Sequence, residues 1–246
     1  MKMMGEIYKR LISSLPDAAV EDVFIGAFDV AVTSVRCGIA SALRDPCGSG
    51  RSGGIPAAGK LEGLPVKQLA EYVYSDNLLE ASLGMAAINS ALPMLSPDDF
   101  CEINAEDVLR KKASGKIMAV IGNFPFAASF KKDVKKLMVF DNNPSPGVFP
   151  PEEEANLLGD ADVAAITATT LINHSFNELM SYFKPDAYKL LLGPSAPLTD
   201  MLFEFGIDAV SGTLVDKPEV LLPYLKQGAS YRQLKGKKML TLFRRR

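Results

Sequence analysis

The sequence has no tryptophan, one histidine and three cysteines among its 246 residues. A zinc or copper site built from protein ligands needs several imidazoles or thiolates at short spacing. His174, Cys37, Cys47 and Cys101 are too few and too scattered for that, so no residue is assigned to a metal. A carboxylate site for magnesium or calcium stays open, although no EF-hand loop is present. No CxxC pair occurs, which excludes a disulfide framework. No run approaches the ~18 apolar residues of a membrane span, and the first residues lack the apolar core of a signal peptide. The expected location is the cytoplasm, with no membrane partner. Charge of one sign is also missing: 27 basic residues face 29 acidic ones, a net charge of −2. That excludes a nucleic-acid footprint over the whole chain. The short basic groups at 235–238 and 244–246 read as a solvated tail.

What is present is ordinary globular composition, 48% hydrophobic and 23% charged. A chain of this mass buries nearly three quarters of its surface on folding, by a scaling of roughly 10,700 Å² folded against roughly 38,000 Å² unfolded. Met4, Ile7, Leu11 and Leu15 recur at helical spacing. Residues 20–33 and 35–43 read as strands. Residues 44–60 hold five glycines and two prolines and read as a loop, a candidate lid in which Arg51 meets an anion. Helices follow at 66–74 and 78–92, the second capped by Asn77, and Ser96–Asp99 looks like a further helix start. From residue 117 onward the pattern changes. Apolar strands at 117–121, 136–140, 162–167, 188–192 and 207–210 alternate with helices at 126–132, 152–158, 171–183, 198–205 and 218–227. Continuous apolar strands suit a parallel sheet covered on both faces. The expected fold is α/β: a small α+β domain over 1–105, then a Rossmann-like, doubly wound, mostly parallel sheet over 106–246, with a polar boundary near 104–116.

In such a sheet, ligands bind beyond the carboxyl ends of the strands, near the switch in strand order. The turn after the first strand is Gly122-Asn123-Phe124-Pro125-Phe126, which lacks the second glycine of a dinucleotide turn. Asp141 follows the second strand, nineteen residues beyond Gly122, as a ribose anchor or as the cap of its own turn. After the third strand, Thr167–Ser175 is the richest polar cluster. Thr169 or Thr170 serves there as a helix cap or, with Asn173, as a ligand contact. His174 is expected one turn into that helix. Gly193-Pro194-Ser195 follows the fourth strand, and Pro197 in place of a second glycine argues against a nucleophile elbow.

The strings GNFPF (122–126), ITATTLINHS (166–175), LLGPSAPL (191–198), VSGTLV (210–215), RCGIA (36–40) and LGMAAINS (83–90) together resemble a bacterial and archaeal family named for heavy-metal chelation. The resemblance covers nearly the whole chain. It implies an enolase-N-terminal-like domain followed by a Rossmann-like domain reminiscent of methyltransferases, with the site between the two. It implies Asn89 as a contribution from the first domain, with Gly122, Thr169, Asn173 and Ser195 on the opposite wall. The TTLIN string of the family continues into glycine or another small residue, and here His174 takes that place.

The resemblance further implies condensation or hydrolysis in the making of flavin-, pterin- or siderophore-like molecules. On that reading Asp141 and Asn89 are the catalytic candidates. Gly122, Asn123, Phe124, Thr169, Thr170, Asn173, Gly193 and Ser195 are the ligand-binding ones. No cofactor is specified. The expected partner is a small molecule, a metal chelator or its precursor, and a homo-oligomer stays open. Two alternatives remain: a non-catalytic carrier or sensor of a metal–chelator complex, and an S-adenosylmethionine-dependent methyltransferase-like protein by fold analogy.

Overall fold

The apolar stripe at the start of the chain forms α1 (Lys2–Ser14), which buries Met4, Ile7, Tyr8 and Leu11 along one face. The structure is a computed structural model and describes residues 2–45, 54–94, 96–122, 124–143 and 145–245. Asn123 and residues 46–53 of the glycine-rich stretch read as a lid, Cys47 and Arg51 among them, lie outside the described residues.

The first third continues with β1 (Asp22–Ile25), β2 (Asp29–Thr33), β3 (Cys37–Ser41), α2 (Val66–Ala70) and α3 (Leu78–Ala91). The three strands form an antiparallel sheet in sequence order. The run 20–33 is two strands, because the Gly26 N–H donates to the Asp29 carbonyl (2.9 Å) and closes a hairpin whose tip exposes Phe28. Asn77 caps α3 as expected, its Oδ1 accepting from the N–H groups of Leu79 and Glu80. The small residues of α3 let it approach β3 closely. A Cβ on Gly38 would lie 2.2 Å from the backbone nitrogen of Ser90, so only glycine fits.

The remainder builds β4 (Phe100–Cys101), α4 (Ala105–Ala113), β5 (Ile117–Ile121), β6 (Lys136–Phe140), β7 (Val148–Phe149), α5 (Glu154–Leu157), β8 (Val163–Thr167), α6 (Phe176–Tyr182), β9 (Tyr188–Leu192), β10 (Ala209–Val215), α7 (Pro218–Lys226) and β11 (Lys237–Phe243). These strands make one sheet of order β4-β11-β10-β9-β8-β5-β6-β7. The pairings from β10 to β7 are parallel, and β11 runs antiparallel to β10 and β4. From β5 the chain moves outward through β6 and β7, then returns to place β8 on the other side of β5. The switch in strand order therefore lies between β5 and β8. The fold is mixed α/β, a small antiparallel sheet joined to a mostly parallel one.

Several expectations need correction. The polar stretch 104–116 contains α4, with Asn104 as its cap and Val108 and Leu109 buried. The helices expected at 126–132 and 198–205 are 3-10 helices, Ala127–Lys132 and Asp200–Phe205. The expected helix 171–183 is the 3-10 turn Ala168–Leu171 followed by α6. The helix expected at 218–227 is α7, with Lys217 at its cap position making no side-chain bond and Pro218 in its first turn. The basic tail is largely strand: Lys237 and Lys238 open β11, whose Leu240, Thr241 and Leu242 are buried.

Alternate residues of the large sheet feed two layers. Ala119, Ile121, Ala164, Ile166 and Leu191 face the layer holding α1, α3 and α6. Met118, Val120, Val163, Ala165 and Leu190 face α4 and Phe130. The small sheet alternates likewise. Val30, Val32 and Ala40 join the first layer, whereas Ala31, Cys37 and Ile39 meet Leu221 and Leu225 of α7. Among the described residues no helix is long and apolar enough to cross a membrane.

Candidate functional site

Two cavities lie at the carboxyl ends of the parallel strands. The first, about 330 Å³, opens at the switch between β5 and β8. It brings together six of the residues expected from the sequence: Gly122, Phe124, Asp141, Thr169, Thr170 and Asn173. Gly122 turns the chain out of β5 with φ +96°, a left-handed conformation natural to glycine. Thr167, not Thr169 or Thr170, caps the following 3-10 turn, and its Oγ1 lies 2.9 Å from that of Thr169. Asp141 fulfils the turn reading and lines the cavity as well, its Oδ1 accepting from the N–H and Nδ2 of Asn143 at 2.8 and 2.9 Å. Glu154, which the sequence reading did not single out, also lines this cavity. Burial first, and then the neighbouring Glu178 and Glu152, push its carboxyl up to about 7.

The second cavity, about 620 Å³, is the cleft between the hairpin of the small sheet and the strand ends of the large one. Its walls are largely apolar: Phe28, Phe124, Phe126, Leu192 and Met239. Phe28 and Met239 are 56% and 44% exposed, unusual for residues so large and apolar. Phe124 and Phe126 stack with ring centres 5.2 Å apart, and Phe124 lines both cavities. Gly193 lies here, between Leu192 and Pro194.

One group in the cleft sets it apart. Asp29, at the start of β2, is 2% exposed, and its Oδ2 has no hydrogen-bond partner. A buried carboxylate without partners is costly. Burial accordingly pushes the Asp29 carboxyl up to about 7, while Lys237 pulls the other way. Lys237 lies in β11 and donates from Nζ to the Leu234 carbonyl at 2.7 Å; burial holds its own pKa below the usual lysine range. Tyr231 also lines the cleft, and its hydroxyl bonds Thr213 Oγ1 at 2.7 Å. Burial raises the Tyr231 pKa. Asp29 was legible only as one acid inside an otherwise apolar strand, and Lys237 was hidden in the supposed tail.

Asn89 and Ser195 are placed elsewhere. Asn89 donates from Nδ2 to the Ile39 carbonyl (3.0 Å) and lines a narrow crevice with Arg36, Cys37 and Phe100. Ser195 is fully buried, and its Oγ accepts from the Ser41 N–H at 2.9 Å, clasping β3 to the loop after β9. His174 lies in the turn before α6 with φ +64°, its Nε2 2.9 Å from the Val73 carbonyl. A left-handed position explains why a glycine suits this place in the TTLIN string.

Residues 104–244 match the family model DUF364, described as "Putative heavy-metal chelation", and residues 8–92 match DUF4213, which carries the same description. The chain belongs to the DUF364 family. An uncharacterised protein of Methanocaldococcus jannaschii is 30% identical over 179 residues, 69% of each chain. Two solved DUF364 structures, both titled as of unknown function, share the fold. That from Desulfitobacterium hafniense aligns with TM-score 0.84 at 23% identity, over 99% of each chain. That from Pyrococcus horikoshii aligns with TM-score 0.82 at 18% identity, over 98% of this chain and 99% of the other.

The family description names heavy metals, so the donors of this DUF364 chain matter. Among the described residues no three His, Cys, Asp or Glu side chains are grouped to hold a metal ion. Cys37 is buried, which pushes its thiol up to about 11 and opposes the thiolate that binds soft metals. Cys101 is exposed, on the two-residue strand β4. The donor set does not fit direct capture by the described side chains.

Proposed function

We propose that this DUF364 protein takes a flat small molecule of the chelator, flavin or pterin kind into the cleft between its N-terminal domain (1–105) and its C-terminal domain (106–246). It acts on that molecule by acid–base chemistry, in a condensation or hydrolysis, and a metal enters as part of the small molecule's chemistry. The observation that carries this reading is Asp29, a buried carboxyl with an unpartnered oxygen beside a large apolar cleft. Pockets for small molecules are mostly apolar with a few convergent polar groups, and a titratable group shifted toward neutrality is the usual mark of acid–base work. Asp29 titrates around neutral pH, so its protonated form is available to pass a proton to a substrate oxygen or nitrogen. Lys237 and Tyr231 flank the same cleft and orient a polar edge of the ligand, while Phe28, Phe124 and Met239 cover its faces.

The test begins with melting temperature against pterins, flavins and catechol chelators, each with and without metal ions. A ligand at 100 times its Kd stabilises by about 2.7 kcal/mol, roughly 5–10 °C for a chain of this size. Activity is then assayed on whichever class binds. Asp29→Asn is expected to retain binding and lose turnover about 100-fold or more. Unchanged turnover in that variant overturns the role of Asp29. Tight binding without conversion by the wild-type protein replaces the enzyme by a carrier.

A further inference from the structure

The lining of the switch-point cavity restricts what it can hold. It is lined by two acidic side chains, Asp141 and Glu154, and by Thr167, Thr169, Thr170 and Asn173, the Thr170 hydroxyl donating to the Thr167 carbonyl at 2.7 Å. No lysine, arginine or histidine is among its described residues. A phosphate entering it would meet acidic side chains and, among the described residues, no basic one, whereas phosphate sites are built from basic side chains and open glycine-rich turns. The turn also has one glycine where a dinucleotide turn has several, and a Cβ on that glycine, Gly122, would lie 3.2 Å from the Thr167 side chain. The hydroxyl-binding parts are present all the same. Asp141 follows β6, the strand beside β5, where a carboxylate takes the paired hydroxyls of a ribose. Its Oδ1 is anchored by both Asn143 donors. Phe124 supplies a flat apolar wall, and about 330 Å³ falls within the ~300–1,000 Å³ range of small-molecule sites.

We infer that the switch-point cavity is a second ligand site, for an unphosphorylated ribonucleoside whose vicinal hydroxyls are accepted by Asp141. The Thr167 and Thr169 hydroxyls and the Asn173 Nδ2 meet the remaining polar atoms of the sugar and base, and Phe124 lies along the base. Asp141, with no basic side chain among the described lining residues to offset it, disfavours 5′-phosphorylated forms in a partly desolvated site. Among the described residues this site shares only Phe124 with the cleft, and it does not depend on what the cleft binds.

Titration calorimetry on the full chain, with no cleft ligand present, tests the inference using adenosine, cytidine, 2′-deoxyadenosine, AMP and ATP. Adenosine or cytidine is expected to bind saturably. Loss of the 2′-hydroxyl should weaken adenosine about tenfold or more, the worth of a hydrogen bond to a charged group. Affinity should fall from adenosine to AMP to ATP. Asp141→Asn should abolish the preference for the ribonucleoside over the deoxynucleoside. Thr169→Val, which leaves the Asp141 turn untouched, should weaken both alike. ATP binding as tightly as adenosine, equal affinity for the deoxynucleoside, or no saturable heat with either nucleoside overturns the inference. None of these results bears on turnover in the cleft.

Discussion

At Asp29 the folded protein keeps a proton that the unfolded chain releases. The carboxyl titrates near its ordinary value of 3.8 when unfolded and at about 7 when folded, mainly through burial. The folded state therefore binds more protons between pH 4 and 7, and stability falls as pH rises through that window. The full difference is on the order of a few kcal/mol, since one pKa unit corresponds to about 1.4 kcal/mol. Asp29→Asn removes this titration. The wild-type melting temperature should drop between pH 5 and pH 8 relative to the variant, with the gap closing in acid. Parallel profiles for the two proteins would show that Asp29 is ionised throughout. His174 illustrates a different compromise at this scale. Its left-handed backbone costs about 1–2 kcal/mol relative to glycine, offset by the bond to the Val73 carbonyl and an edge contact with the Tyr8 ring at 5.9 Å.

At the scale of elements, close approach governs the small sheet. Ala86, Asn89 and Ser90 of α3 press against β3 at Gly38, where a Cβ would sit 2.2 to 2.6 Å from backbone atoms. Gly38→Ala must push helix and strand apart, and overpacking of this kind costs about 1–3 kcal/mol. Thermal or urea unfolding of that variant measures the loss, and wild-type stability would mean that the helix shifts freely. The sequence carried much of this level. Long apolar runs announced β5, β6, β8 and β9 to within a residue, because strands buried on both faces admit few polar side chains. α4 was missed because its exposed face, Glu106, Asp107, Arg110, Lys111 and Lys112, outweighed its stripe of Ala105, Val108 and Leu109. β11 was missed because two lysines begin it, and β4 and β7 are two residues long. The switch-point residues were legible because turns after parallel strands are local in sequence. Of the cleft, Phe124 and Gly193 were legible for the same reason, but its polar groups were not, because Asp29 and Lys237 come together only through tertiary packing, and an acid in an apolar strand does not say what it will face.

At the scale of the whole molecule, the two sheets share one core. Buried side chains of α1, α3 and β2 belong to the same apolar cluster as Ile121, Phe140, Ile166, Leu171 and Leu191 of the large sheet and its turns. Polar clasps reinforce that seam: Tyr8 donates to the Leu171 carbonyl, Arg10 grips both oxygens of Glu204, and the Ser41 N–H donates to Ser195 Oγ. A continuous core makes separate melting of the two halves unfavourable, since either alone would expose the shared face. Calorimetry should therefore show a single transition over the full chain. Ser195→Ala removes the acceptor of the partly buried Ser41 N–H, at a cost of about 1–3 kcal/mol. For a chain of this length that lowers Tm by roughly 3–10 °C. The transition should move as a whole. If it splits into two peaks, the halves are joined only by the clasp, and the cleft they enclose opens by hinge motion rather than by side-chain movement in a fixed frame.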